Sequence, residues 1–250
     1  MVLGAASMGS EACHKAPAPA EPIKVAAAAD LAFAFPDIGA LYEKTTGEPV
    51  VFSFGSTGLL ERQLAEGAPF DAFAAASASF ADAAVKSGAC LADSKASYAT
   101  GRIVLLAGTG ASLAATTLAE LVDPRIAKVA IANPEHAPYG RAAKQALERA
   151  GVWDRVSSKI VYGENVQQTL EFAQSGNADA AIVALSLATM LPAQDARARW
   201  TAIPAELHDP IDQVLVACTR GRAGPDAGRR FISFVNSDAG RSILRRYGFL

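Results

Sequence analysis

The chain has 250 residues, 51% of them hydrophobic and 19% charged, with a net charge of −2. That much apolar side chain fills a sizeable core and excludes a disordered chain. The near balance of charge, with no long basic run, excludes nucleic acid as an expected partner. No apolar run reaches the length of a membrane-spanning helix, and the length suits one compact unit or two lobes.

Residues 1–22 read as a leader followed by an extended Ala-Pro linker. They lack the charged start and apolar centre of an export signal, so no intact signal is expected in this sequence. A small apolar strand is expected at 25–29, ended by Asp30, which is placed to cap a helical stretch over 31–47. Pro36 has no N–H to offer Ala32, so that helix either begins near Pro36 or is kinked in its first turn. The apolar, β-branched run at 49–52 leads into the turn Gly55-Ser56-Thr57-Gly58. Leu60 and Leu64 then mark a helix that Gly67 and Pro69 stop.

Further along, 71–76 is a buried-strand candidate, 79–87 an Ala-rich helix, 102–107 a strand and 117–121 a short helix. A strand at 128–132 runs into the turn-rich loop 133–140, and a helix follows over 141–150. A strand at 159–162 precedes a helix at 166–175, strands follow at 180–184 and 211–218, and two helical pieces end the chain. Apolar strands alternating with helices predict α/β architecture with mainly parallel sheets covered on both faces. The strands are too many for one sheet, and 103–107 and 214–218 suit two crossings between lobes.

Three cysteines (Cys13, Cys90, Cys218) show neither metal spacing nor a CxxC pair. Cys218, inside an apolar run, reads as a small buried hydrophobe. A bridge to Cys90 stays open, but nothing in the spacing calls for it. The histidines His14, His136 and His208 are scattered, and His136 reads as bracing its own loop. The pairs Arg229-Arg230 and Arg245-Arg246 read as solvated helix faces.

Four strand-to-helix turns recur, at 29–31, 55–58, 137–140 and 163–166. In wound α/β sheets such turns gather at the carboxyl ends of the strands, where ligands bind. Each offers unpaired N–H groups at a positive dipole end, which is an anion site in the making. Several charge-assisted hydrogen bonds, each worth ~1.5–3 kcal/mol, can hold a dianion there without Lys or Arg. Taken singly, each turn is better explained as an ordinary helix cap. No nucleophile elbow, phosphate loop or zinc helix motif is present, so catalysis is not expected.

The stretches Ala-Ala-Ala-Asp-Leu at 27–31, Ser-Phe-Gly-Ser-Thr-Gly at 53–58 and Glu-Gly-Ala-Pro at 66–69 occur in order with Asn-Pro-Glu-His-Ala-Pro-Tyr-Gly at 133–140, Glu-Asn-Val at 164–166 and Arg-Arg-Tyr-Gly-Phe at 245–249. Together, from about residue 23 to the end, they resemble the molybdate-binding proteins of bacterial ABC transporters. The resemblance implies a two-lobed periplasmic-binding-protein fold of type II. It implies a cleft that closes on molybdate or tungstate, no cofactor or metal beyond that ligand, and delivery to a membrane permease by a monomer. It places the protein in the periplasm or tethered outside the inner membrane. The lobes are expected at 23–101 with 212–250 and at 102–211, with crossings near 100–108 and 203–216.

The ligand positions that carry over are Asp30, Ser56, Thr57, Tyr139 and Val166, the last two through backbone N–H groups. Asp30 stands where the family has Ser, and Ala184 where some members have a fifth ligand, Tyr. Asp30 is therefore expected either to turn onto its helix start or to be protonated beside the anion. The Tyr139 phenol is expected to stand in for the missing hydroxyl. The competing reading keeps the fold and changes the cargo, to another oxyanion or a small organic solute.

Overall fold

The computed structural model describes residues 21–191 and 200–250. The leader reading of residues 1–20, with Cys13 and His14, lies outside the described residues. Ile23–Ala28 (β1), Val50–Gly55 (β2), Ala72–Ala75 (β3) and Ala96–Gly101 (β4) belong to one sheet, in the order β2-β1-β3-β10-β4 with Ile211–Ala217 (β10). Ile103–Ala107 (β5), Val129–Ala132 (β6), Ile160–Gly163 (β7), Ala180–Ala184 (β8) and Trp200–Ala202 (β9) form the other, in the order β7-β6-β8-β5-β9. Each sheet is the core of one lobe. The inner strands β3, β5, β6 and β8 are buried at every residue, as their unbroken apolar runs require. The edge strand β2 instead alternates between exposed and half-buried residues along most of its length.

Both sheets are mixed. β1 runs parallel to β2 and β3, and β6 runs parallel to β7 and β8. β10 is antiparallel to β3 and β4, and β5 is antiparallel to β8 and β9. The parallel pairs are joined through helices, whereas β5 and β10 enter their sheets from the other lobe, free of the crossover rule that keeps βαβ units parallel.

The helices are Ala34–Thr46 (α1), Thr57–Ala65 (α2), Ala78–Lys86 (α3), Pro138–Arg149 (α4), Trp153–Val156 (α5), Val166–Gln174 (α6), Leu185–Ala188 (α7), Pro225–Val235 (α8) and Asp238–Arg246 (α9). Pro36 proves to be the third residue of α1, where its missing N–H falls among groups that have no intrahelical partner anyway. A 3-10 turn, Ala29–Leu31, precedes that helix, and Asp30 does not cap it: the capping position is Ala28, without a side-chain bond. α4 begins three residues earlier than its apolar pattern suggests, because Pro138 occupies the first helical position, which suits proline.

Cys218 is buried as expected, but it is joined by a disulfide to Cys90, which lies opposite it as an antiparallel bridge. The 128 residues between them hide the pairing from any local spacing rule. The terminal arginines do lie at the surface, and three of them meet carboxylates there: Arg229 with Asp93, Arg230 with Glu48, Arg246 with Asp37. Exposed pairs of this kind add little stability.

Candidate functional site

The four strand-to-helix turns meet. A hollow lies between the lobes, walled by Ala28, Ala29 and Asp30 at the end of β1, by Gly55, Ser56 and Thr57 at the end of β2, and by Ala76 after β3. The second lobe contributes Ala137, Pro138 and Tyr139 after β6, and Asn165 and Val166 after β7. All five residues singled out from the sequence, Asp30, Ser56, Thr57, Tyr139 and Val166, line this one hollow. Among the described residues, no Lys, Arg or His belongs to its walls.

The helix starts are arranged to leave donors free. α6 is capped by Asn165, whose side-chain oxygen accepts from the N–H groups of Gln167 and Gln168, both at 3.0 Å. That leaves the Val166 N–H, one position earlier, at the wall without a capping partner. In α4, Pro138 has no N–H, so the first amide that the helix can offer is that of Tyr139. Thr57 opens α2, and its Oγ1 accepts from the Ala76 N–H at 3.2 Å. The Thr57 hydroxyl proton therefore remains to be donated.

Ser56 is used differently. Its Oγ donates to the His136 carbonyl at 2.8 Å and lies 2.8 Å from His136 Nδ1. With its one proton given to the carbonyl, Ser56 accepts from the imidazole Nδ1–H. The Gly58 N–H donates to the same carbonyl at 2.9 Å. Ser56 therefore spends its hydroxyl on fastening the two lobes together, and His136 bonds across the cleft rather than bracing its own loop. A Cβ on Gly58 would sit 2.8 Å from the His136 oxygen, so only glycine permits this close approach.

Asp30 is 1% exposed and belongs to a buried chain of polar groups. Its Oδ2 accepts from the Tyr139 hydroxyl at 2.9 Å and from Gln213 Nε2 at 2.8 Å. Gln213 in turn accepts from the Tyr98 hydroxyl at 2.8 Å, and Nε2 also lies 3.2 Å from the Tyr139 oxygen. The Tyr139 phenol is thus committed to Asp30 and does not supply the extra ligand hydroxyl that the sequence suggested. Asp30 Oδ1 is buried with no partner among the described residues. Burial pushes the carboxyl up from 3.8 to about 7, against the opposing pull of the Tyr139 hydroxyl, the residue's own backbone N–H and the Gln213 amide. An acid whose folded value is raised favours the folded state below its unfolded value, and that advantage is lost as pH climbs from about 4 towards 7.

Sequence reasoning passed over Gln213, Tyr98 and Ser186. Gln213 is fully buried in β10, but it stands beside the exposed Asp212 ahead of the apolar run, so its burial left no clear mark in the sequence. Ser186, two residues past Ala184, donates to the Asp30 carbonyl at 2.8 Å and so ties α7 to the site. Tyr98 carries no local signal.

A molybdate-binding protein ModA of Rhodobacter capsulatus is 33% identical over 234 residues, covering 94% of this chain and 90% of its own length. A ModA of Azotobacter vinelandii is also 33% identical, over 93% of this chain and 91% of its own. The solved periplasmic molybdate-binding protein of Azotobacter vinelandii superposes with a TM-score of 0.84 at 27% identity, covering 91% of this chain and 98% of that one. The family model for bacterial extracellular solute-binding proteins matches residues 23–250, and the chain belongs to that family.

Proposed function

We propose that this protein captures molybdate, or its congener tungstate, outside the cytoplasm and hands it to the membrane permease of an ABC transporter. The observation that carries the reading is the meeting of Thr57, Tyr139 and Val166, each at the start of a helix, around one hollow with no cation among the described residues of its walls. Uncharged, preorganised donors suit a fully ionised tetrahedral dianion, since each bond is charge-assisted and none needs a counter-charge. The names of the relatives point to the same ligand.

In this reading residues 23–101 with 212–250 form one lobe and residues 102–211 the other. The chain crosses at Arg102, between β4 and β5, and again between β9 and β10. The protein acts as a monomer, in the periplasm or tethered by lipid, binds no cofactor and catalyses nothing. Thermal melts and calorimetric titrations with molybdate, tungstate, sulfate and phosphate test it. At a hundredfold excess over Kd, molybdate and tungstate are expected to add about 2.7 kcal/mol and raise the melting temperature by roughly 5–10 °C. Sulfate, a smaller ion, is expected to add much less. A panel in which no oxyanion moves the transition, while an organic solute does, would refute the assignment.

A further inference from the structure

We propose that Asp30 enters the complex as the neutral acid and donates its Oδ1–H to the bound oxyanion, so that above neutral pH each dianion captured takes up one proton. The inference rests on the oxyanion reading and specifies how a carboxyl can belong to such a site. Its basis is the direction of the hydrogen bonds. The Tyr98 hydroxyl donates to Gln213 Oε1, which fixes the amide so that Nε2 faces Asp30. Oδ2 then receives two donors, Gln213 Nε2 and the Tyr139 hydroxyl, and has no room for a proton of its own. Oδ1 is buried, has no partner among the described residues, and belongs to a residue on the wall of the hollow. A proton on Oδ1 turns the one repulsive group at the site into a further donor.

No other group near Asp30 can take that role. From β4 and α4 it faces Tyr98 and Tyr139, whose phenols burial, and then Asp30 itself, push well above their ordinary value. From β10 and α7 it faces Gln213 and Ser186, which do not titrate. The carboxyl of the empty site, raised by burial to about 7, is half ionised near neutrality. The proton comes from solvent, and no bond within the anion is made or broken.

Calorimetric titration of the full chain with molybdate at pH 8, in two buffers of different ionisation enthalpy, measures the uptake directly. One proton per anion is approached at this pH, and Kd is expected to rise about fivefold from pH 7 to 8 and about ninefold from pH 8 to 9. Asp30→Asn, whose amide can donate to the anion while its oxygen accepts from Tyr139 and Gln213, is expected to bind with no proton uptake and with a Kd flat across that range. Tight molybdate binding by the unaltered protein, with zero uptake and no pH dependence, overturns the proposal while leaving the oxyanion reading intact. Absence of molybdate binding at every pH overturns both. The unaltered protein decides the matter even if the variant fails to fold.

Discussion

Val166→Pro is expected to weaken molybdate binding roughly 10- to 100-fold while leaving the melting temperature of the empty protein almost unchanged. The substitution deletes a single N–H from the wall of the hollow. A hydrogen bond to a charged group is worth ~1.5–3 kcal/mol, and 1.4 kcal/mol is a factor of ten. Proline is ordinarily destructive in a helix, but Val166 is the first residue of α6, the one position where proline is favoured. The preceding Asn165 already sits at φ −143° and ψ 176°, the extended region that a residue before proline prefers. Its capping bonds go to Gln167 and Gln168, so they survive the change. Val166→Ala keeps the amide and removes most of the side chain, and it is expected to bind close to normally. Titration calorimetry on both variants, with melts of the empty proteins, separates loss of the amide from loss of packing. A proline variant that binds like the parent removes Val166 from the ligand set.

Replacing both Cys90 and Cys218 by Ser is expected to lower the melting temperature by roughly 5–15 °C. The bridge closes a loop whose ends are 128 residues apart. The chain-entropy model assigns about 5 kcal/mol to a loop of that size, and measured values cluster near 2–4 kcal/mol. For a protein of this length each kcal/mol moves the midpoint by about 2–4 °C. Both sulfurs are buried beside the end of β10, away from the hollow, so the anion Kd is expected to hold. Calorimetric melts with and without a reductant provide the check. The parent should fall to the level of the double variant under reduction, and the variant should not respond. A parent whose midpoint is indifferent to reductant would show that the link contributes nothing.

The alternation of strand and helix could be read directly because the inner strands are short runs of Ala, Val, Ile and Leu closed by polar turns. Ala96–Gly101 could not: it mixes small and polar residues, pairs only through one edge, and gives no period of two. Strand direction was hidden as well. An apolar run is the same read in either sense, and only the route of the chain between lobes makes β5 and β10 antiparallel. At the site, Asp30, Thr57, Tyr139 and Val166 were legible because a strand-to-helix turn announces free amides locally. What those side chains do was not. The Ser56 hydroxyl is claimed by a residue 80 positions away, and the orientation of Asp30 is set by Gln213, 183 positions away. Contacts between segments so far apart in the chain leave no trace in periodicity.

The place of β10, between β3 and β4, also dictates an order of assembly. The second sheet draws its strands from one unbroken passage, Ile103 through Ala202, and can be completed while synthesis continues. The first cannot: β3 and β4 keep unsatisfied edges until Ile211–Ala217 slots between them. Asp30 therefore waits on the last fifth of the polypeptide for its Gln213 partner, and a nascent chain stopped short of it would carry an incomplete cleft and two sticky margins.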